Sequence, residues 1–178
     1  MVYVFLADGF EEIEALTPVD IMRRAGIDTL TVGVTGKTVT GAHGIKVESD
    51  ITIDETVSDG LEMVVLPGGL PGADNLRAND RVRELTLYAA NNGAFVSAIC
   101  AAPRVLGELG LLKGKKAVCY PGFEKYLDGA EISDARVIKD GNVITAIGMG
   151  ASAEFALELV RALKGSIVAD KIEKGIFA

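Results

Sequence analysis

At 178 residues, with 49% apolar and 24% charged side chains, the chain has the length and composition of one globular domain with a full core, which excludes disorder. Its formal charge of −7 argues against nucleic acid as a partner, because phosphate binding rewards basic surfaces. No apolar run approaches the roughly 18 residues of a membrane span, so no membrane partner is expected either.

Val2–Ala7 is an apolar run that predicts the first strand. No basic stretch precedes it, so it is not read as a signal peptide. Helical spacing of Ile13, Leu16, Val19, Ile21 and Met22 predicts a helix over Glu11–Ala25, closed by Gly26. Pro18 lies inside it, where a kink or a late helix start is expected. Thr29–Val34 reads as a second strand, and Lys37–Glu48 as a loosely alternating β-excursion around Gly41 and Gly44. Met63–Leu66 is a short buried strand that runs into Pro67-Gly68-Gly69-Leu70-Pro71-Gly72. A helix over Arg81–Ala90, a strand over Ala94–Ile99 and a helix over Ala102–Leu109 follow, the last closed by Gly110. Ala117–Tyr120 reads as a strand and Phe123–Leu127 as a short helix. Arg136–Lys139 and Val143–Ile147 flank Asp140-Gly141, a hairpin signal. Helices over Ser152–Leu163, capped by Gly165, and over Ile167–Lys174 complete the pattern. Strands alternating with helices predict a single α/β domain over residues 1–178, with a mostly parallel sheet covered by helices on both faces.

Two cysteines, Cys100 and Cys119, lack zinc-site spacing and make a poor disulfide framework, which suits a reducing cytoplasm. His43 is the only histidine, so a multi-histidine metal site is impossible and no metal is expected. Cys119 stands just before Tyr120 at the end of a short strand. It is either a core thiol or a pocket residue beside Cys100.

Residues 95–103, Phe-Val-Ser-Ala-Ile-Cys-Ala-Ala-Pro, put a cysteine where a strand turns into a helix. Ala98, Ala101 and Ala102 are small enough for that turn to close without clash, the logic of a nucleophile elbow. A thiol at a helix N-terminus is expected to have a lowered pKa. The alternative is a buried structural cysteine. In doubly wound sheets, sites form at the carboxyl ends of strands. Three such loops bring Glu11, Glu12 and Glu14, then Gly68 and Gly69, then Cys100. Ile13 and Leu16 are expected in the buried stripe of the first helix, Glu14 at its edge, and Glu11 and Glu12 at its exposed start. A carboxyl at a dry edge has a raised pKa, stays protonated near neutrality and shuttles protons; the alternative for each Glu is a solvated surface. The backbone N–H groups of Gly68 and Gly69, with that of Ala101, are candidates for an oxyanion hole, against a plain turn before Pro71.

Gly148-Met149-Gly150-Ala151-Ser152-Ala153 matches G-x-G-x-x-A. A dinucleotide fingerprint belongs in the first βαβ unit, with an acid at the end of the next strand. Here the match lies near the end of the chain, and Asp170 falls in a predicted helix. It reads as a tight turn into the last long helix, and no nucleotide cofactor is expected.

The segments Leu6-Ala7-Asp8-Gly9-Phe10-Glu11-Glu12-Ile13-Glu14, Pro18-Val19-Asp20, Met22-Arg23-Arg24-Ala25-Gly26, Val65-Leu66-Pro67-Gly68-Gly69, Ala98-Ile99-Cys100-Ala101-Ala102-Pro103 and Phe155-Ala156-Leu157 resemble the ThiJ/PfpI superfamily. Within it they are most similar to the DJ-one branch, that of Parkinson disease protein seven. The likeness runs in order along essentially the whole chain. It implies a flavodoxin-like three-layer sandwich and a homodimer. It further implies that Cys100 is a reactive, oxidation-prone cysteine and that Glu14 is the protonated glutamate on its sulfur. Gly69 and Ala101 match the backbone donors beside it. The activities it implies are glyoxalase III-like conversion of glyoxal and methylglyoxal to hydroxy acids, and deglycation of early sugar adducts, both without cofactor. Oxidative-stress and chaperone roles form a second class, in which Cys100 is oxidised to a sulfinate held by Glu14.

Two departures bear on activity. The protease-like branch follows its cysteine with histidine, and Ala101 stands there instead, which speaks against a protease or amidase. The close branch often carries a histidine before the proline matching Pro121, where this chain has Tyr120. Tyrosine donates a hydrogen bond but does not titrate near pH 7. His43 matches a dimer-side position near the site, from which it would assist across an interface; the alternative is a histidine on a surface hairpin. The expected function is cysteine-dependent processing of small α-oxoaldehydes; the alternative is a redox sensor.

Overall fold

Every residue of β1 (Val2–Leu6) is buried, as a strand covered on both faces requires. Its side chains alternate. Tyr3 and Phe5 enter one core, while Val2, Val4 and Leu6 enter the other. The structure, a computed structural model, describes residues 1–178. In chain order it continues with α1 (Glu12–Arg24), β2 (Thr29–Gly33), β3 (Thr38–Thr40), β4 (Lys46–Glu48), β5 (Ile51–Thr52), β6 (Met63–Leu66), α2 (Gly72–Ala78) and α3 (Asp80–Asn91). Then come β7 (Phe95–Ile99), α4 (Pro103–Glu108), β8 (Lys116–Ala117), β9 (Glu131–Ile132), β10 (Val137–Asp140), β11 (Val143–Ala146), α5 (Ser152–Lys164) and α6 (Ser166–Ile176).

Seven strands form one sheet in the order β10-β11-β7-β6-β1-β2-β5. All its pairs are parallel except β10 with β11, the hairpin around Asp140-Gly141. One core packs α2, α3 and α4 on the sheet; the other packs α1, α5 and α6. The expected α/β sandwich is therefore the observed one. From β1 the chain steps to β2 on one side and returns to β6 on the other, so the strand order reverses between β1 and β6. Ligands bind at such a switch point in open parallel sheets.

Several expectations need correction. Helix α1 runs unbroken through Pro18, whose ring is buried with its neighbours Val19, Ile21 and Met22; that packing offsets the one missing backbone donor. Ile13, expected inside, is 50% exposed, whereas Glu12 and Glu14 are buried. The strand expected over Ala117–Tyr120 shrinks to β8, which pairs with β9 in a separate sheet. Beyond it the Val118 N–H goes to the Thr145 hydroxyl at 3.0 Å, and the Tyr120 N–H to the Cys100 carbonyl at 2.8 Å. The expected helix at 123–127 is a single 3₁₀ turn, Glu124–Tyr126. Helix α2 follows directly on the Pro-Gly punctuation that hid it.

Candidate active site

The loops after β1, β6 and β7 meet at Cys100. Its N–H donates to the Ala146 carbonyl at 2.9 Å, and its carbonyl accepts from Tyr120. These two bonds hold Cys100 at φ 65°, a left-handed conformation uncommon outside glycine. Such strain costs about 1–3 kcal/mol and persists only where the surroundings enforce it. The turn points the thiol out of the strand, so the expected elbow is present. The N–H groups of Gly69 and Ala101 face the Cys100 sulfur and pull its pKa down. In the resting site, the negative charge they are placed to hold is the sulfur's.

Glu14 is 1% exposed. One of its oxygens, Oε2, accepts the Gly68 N–H at 2.9 Å. The carboxyl also faces the Cys100 thiol and the Met149 N–H, both of which pull its pKa down. Gly68 stands between the two reactive groups. A Cβ there would lie 2.5 Å from Glu14 Oε2 and 2.7 Å from Cys100 Cβ, so only glycine lets them touch. Sequence reasoning assigned neither Met149 nor Gly148 to the site. Gly148 lies close enough that a Cβ on it would be 3.4 Å from the Tyr120 ring and 4.0 Å from the Cys100 sulfur. The glycine motif discounted for nucleotide binding was the available signal.

Burial pushes the Glu14 carboxyl up to about 7, against the pull of its hydrogen bonds from Cys100 and Gly68. Burial also pushes the Cys100 thiol up, and the ionised Glu14 carboxylate raises it further, to about 12. The expected lowering by a helix N-terminus is thus corrected. Helix α4 has six residues and starts three beyond Cys100, and desolvation of the sulfur outweighs it. The two groups titrate as one unit. That unit gives up one proton near 7 and a second near 12. Between those values it carries one charge, on the carboxylate or on the sulfur, with the proton on the other.

Above the sulfur lies a cavity of about 140 Å³ lined by Gly69, Leu70, Cys100, Ala101, Tyr120 and Phe123. Tyr120 is half exposed there. Cys119 is not part of this lining; it is free, buried in the core with α3 and α4, and pushed up to about 12 by burial and by Glu124.

His43 is also absent from the cavity. Its Nδ1 meets Glu12 Oε2 at 2.8 Å and Glu11 Oε2 at 3.6 Å. Its N–H donates to Glu12 Oε1 at 2.8 Å. Burial alone would raise the Glu12 carboxyl, but these bonds from His43 outweigh it and hold the group below its ordinary range. The same contact raises His43. The donor atoms of Glu11, Glu12 and His43 lie within 4.8 Å of one another, the one set of side chains spaced to hold a metal ion.

A model of the DJ-1/PfpI family matches residues 1–162. A Parkinson disease protein 7 homolog of Danio rerio is 39% identical over 175 residues, covering 96% of this chain and 93% of that protein. A deglycase of Pyrococcus abyssi is 30% identical over 165 residues, 92% of this chain and 99% of its own. The solved structure of oxidised Toxoplasma gondii DJ-1 superposes with a TM-score of 0.95 at 32% identity, covering 99% of this chain and 97% of that one. Motifs, sheet order and these likenesses agree over the whole length, and the chain belongs to the DJ-1/PfpI family.

Proposed function

We propose that the protein is a Cys100-dependent enzyme that converts small α-oxoaldehydes such as methylglyoxal to hydroxy acids, with deglycation as a related capacity. The observation that carries this reading is that buried Glu14 and Cys100 are brought together across Gly68 beneath a small apolar cavity. The relative named a deglycase supports it. Cytoplasmic location belongs to the same proposal, since both cysteines are free and no helix is long and apolar enough to cross a membrane.

Sulfur attacks the aldehyde carbon as the thiol proton passes to Glu14. An S–C bond forms, and the new alkoxide takes a proton back from Glu14 to give a hemithioacetal. Glu14 next removes the hydrogen of the former aldehyde carbon as a proton and returns it to the neighbouring carbon, while the hemithioacetal hydroxyl gives up its proton to the neighbouring carbonyl oxygen, so that the first oxygen becomes a carbonyl and the second a hydroxyl. Sulfur now carries the thioester of a 2-hydroxy acid. Water hydrolyses that ester and restores the thiol. Gly69 and Ala101 hold negative charge on sulfur before attack, and Ala101 follows the cysteine where a protease would need a base.

Purified wild type is expected to form hydroxy acid from methylglyoxal, and Cys100→Ser to form none. A wild type no faster than Cys100→Ser rejects the enzyme. A second reading, a redox sensor, draws on the oxidised Toxoplasma relative. Protonated Glu14 is placed to donate to a sulfinate on Cys100. Gain of two oxygens at Cys100 under mild peroxide, with no aldehyde turnover, selects it.

We also propose a homodimer. Ile13 and Ile45 are about half exposed on α1 and on the loop that His43 ties to it, and Met149 is exposed beside Glu14. Exposed apolar side chains such as these suit burial against a second copy of the chain. Sedimentation at micromolar concentration is expected to give twice the chain mass; a monomer rejects it.

A further inference from the structure

The cavity has three walls, and each comes from a different segment. Gly69 and Leu70 precede α2, Cys100 and Ala101 precede α4, and Tyr120 and Phe123 precede the 3₁₀ turn at 124–126. One side chain touches all three segments. Arg104 sits on α4, four residues after the nucleophile. Its Nη2 donates to Asp74 of α2. Its guanidinium lies 5.6 Å from the Phe123 ring centroid and 5.9 Å from that of Tyr126. The two rings contact each other at 5.8 Å. Arg104 is buried, and its Nε has no hydrogen-bond partner.

That last fact argues against a role in stability alone. Burying a charge with one donor unmatched is unfavourable, and an apolar residue of similar length usually does as well or better in a core. What arginine adds is a planar charge that pairs and stacks at once. Gly107 shows how close the two walls stand: a Cβ there would collide with the Tyr126 carbonyl. Phe123 is the residue that both lines the cavity and carries the stacked guanidinium.

We infer that Arg104 is a positioning residue that clamps the three walls together and so sets the size of molecule admitted to Cys100. Asp74 anchors the clamp, and Phe123 is the wall it holds. Arg104 itself does not line the cavity, so it acts through Phe123 and not on the substrate. The inference deepens the aldehyde reading by limiting it to small substrates. Its test uses no aldehyde, so the two fail separately.

The test compares alkylation of Cys100 by iodoacetamide and by the bulkier monobromobimane, with peptide mapping to exclude Cys119. Arg104→Met keeps an unbranched apolar stem as far as the position of Nε and removes the charged guanidinium. It is expected to speed the bulky reagent by about tenfold relative to the small one, since small displacements of a wall change reactivity steeply. Thermal stability is followed alongside. A changed melting temperature with an unchanged ratio of the two rates makes Arg104 structural only and overturns the inference. Should Arg104→Met fail to fold, Asp74→Asn decides. Asp74 is half exposed, and its loss frees the clamp while keeping the charge. An unchanged ratio in Asp74→Asn also overturns it.

Discussion

Glu14→Gln is expected to slow alkylation of Cys100 at pH 7 by about a hundredfold, the usual scale for loss of a positioned base. In wild type the rate should climb through an inflection near 7, where the Glu14–Cys100 unit loses its first proton. From there the proton can sit on the carboxyl and the charge on sulfur, which reacts. Glutamine accepts no proton, so the variant has only the thiol's own ionisation. The thiol starts from an ordinary value of 9.0 and is raised by burial, so the inflection moves into the alkaline range. Gln keeps the shape and the carbonyl oxygen that faces the Gly68 N–H, which separates proton transfer from packing. Labelling must be mapped to Cys100 against a Cys100→Ser control. A variant that keeps an inflection near 7 would show that the acid does not govern the sulfur.

The aldehyde and sensor readings both need this unit, so its titration tests their shared premise. Turnover and peroxide mass spectra then divide them. The carboxyl near 7 is matched to neutral conditions for accepting and returning a proton in succession.

The sheet was legible because its strands are apolar on both faces. Val2–Ala7 and Ala94–Ile99 read as strands and Met63–Leu66 as a short buried one, close to the observed β1, β7 and β6, and the topology followed from their alternation with helices. The elbow at Cys100 was legible from its small neighbours. Helix α1 was misread at the site itself. Periodicity put Ile13 inside and Glu14 at an edge, while the fold exposes Ile13 and buries Glu14. A pattern rule assumes that a helix buries its most apolar face, and functional sites are where that assumption fails. The thiol's acidity was misread for a related reason. Helix position can be seen in a sequence, whereas desolvation depends on what other loops bring over the sulfur. Phe123, Leu70 and Arg104 were missed because nothing local marks them, and only the meeting of three loops gives them a role.

Wild-type stability is expected to fall by about 3 kcal/mol as pH rises from 4.5 to 7, from Glu14 alone. The carboxyl is raised from 4.5 to about 7 on folding. Between those values the folded chain holds a proton that the unfolded chain has released. The unfolded state binds fewer protons, so stability declines with pH across that window and levels off above it. Below 4.5 both states are protonated and the contribution is whole. Glu14→Gln has no such proton. Urea unfolding at intervals from pH 4.5 to 8 should therefore show the variant's stability declining less, so that the difference between the two shifts steadily in the variant's favour up to pH 8. Other groups titrate in both proteins, and their effects cancel in the difference. Parallel curves would mean that Glu14 is solvated and ordinary. A variant that is steadier at pH 8 and also slow to alkylate would show what the site gives up for its chemistry. Holding a carboxyl against a buried sulfur destabilises the fold at the pH where that carboxyl can take the thiol's proton.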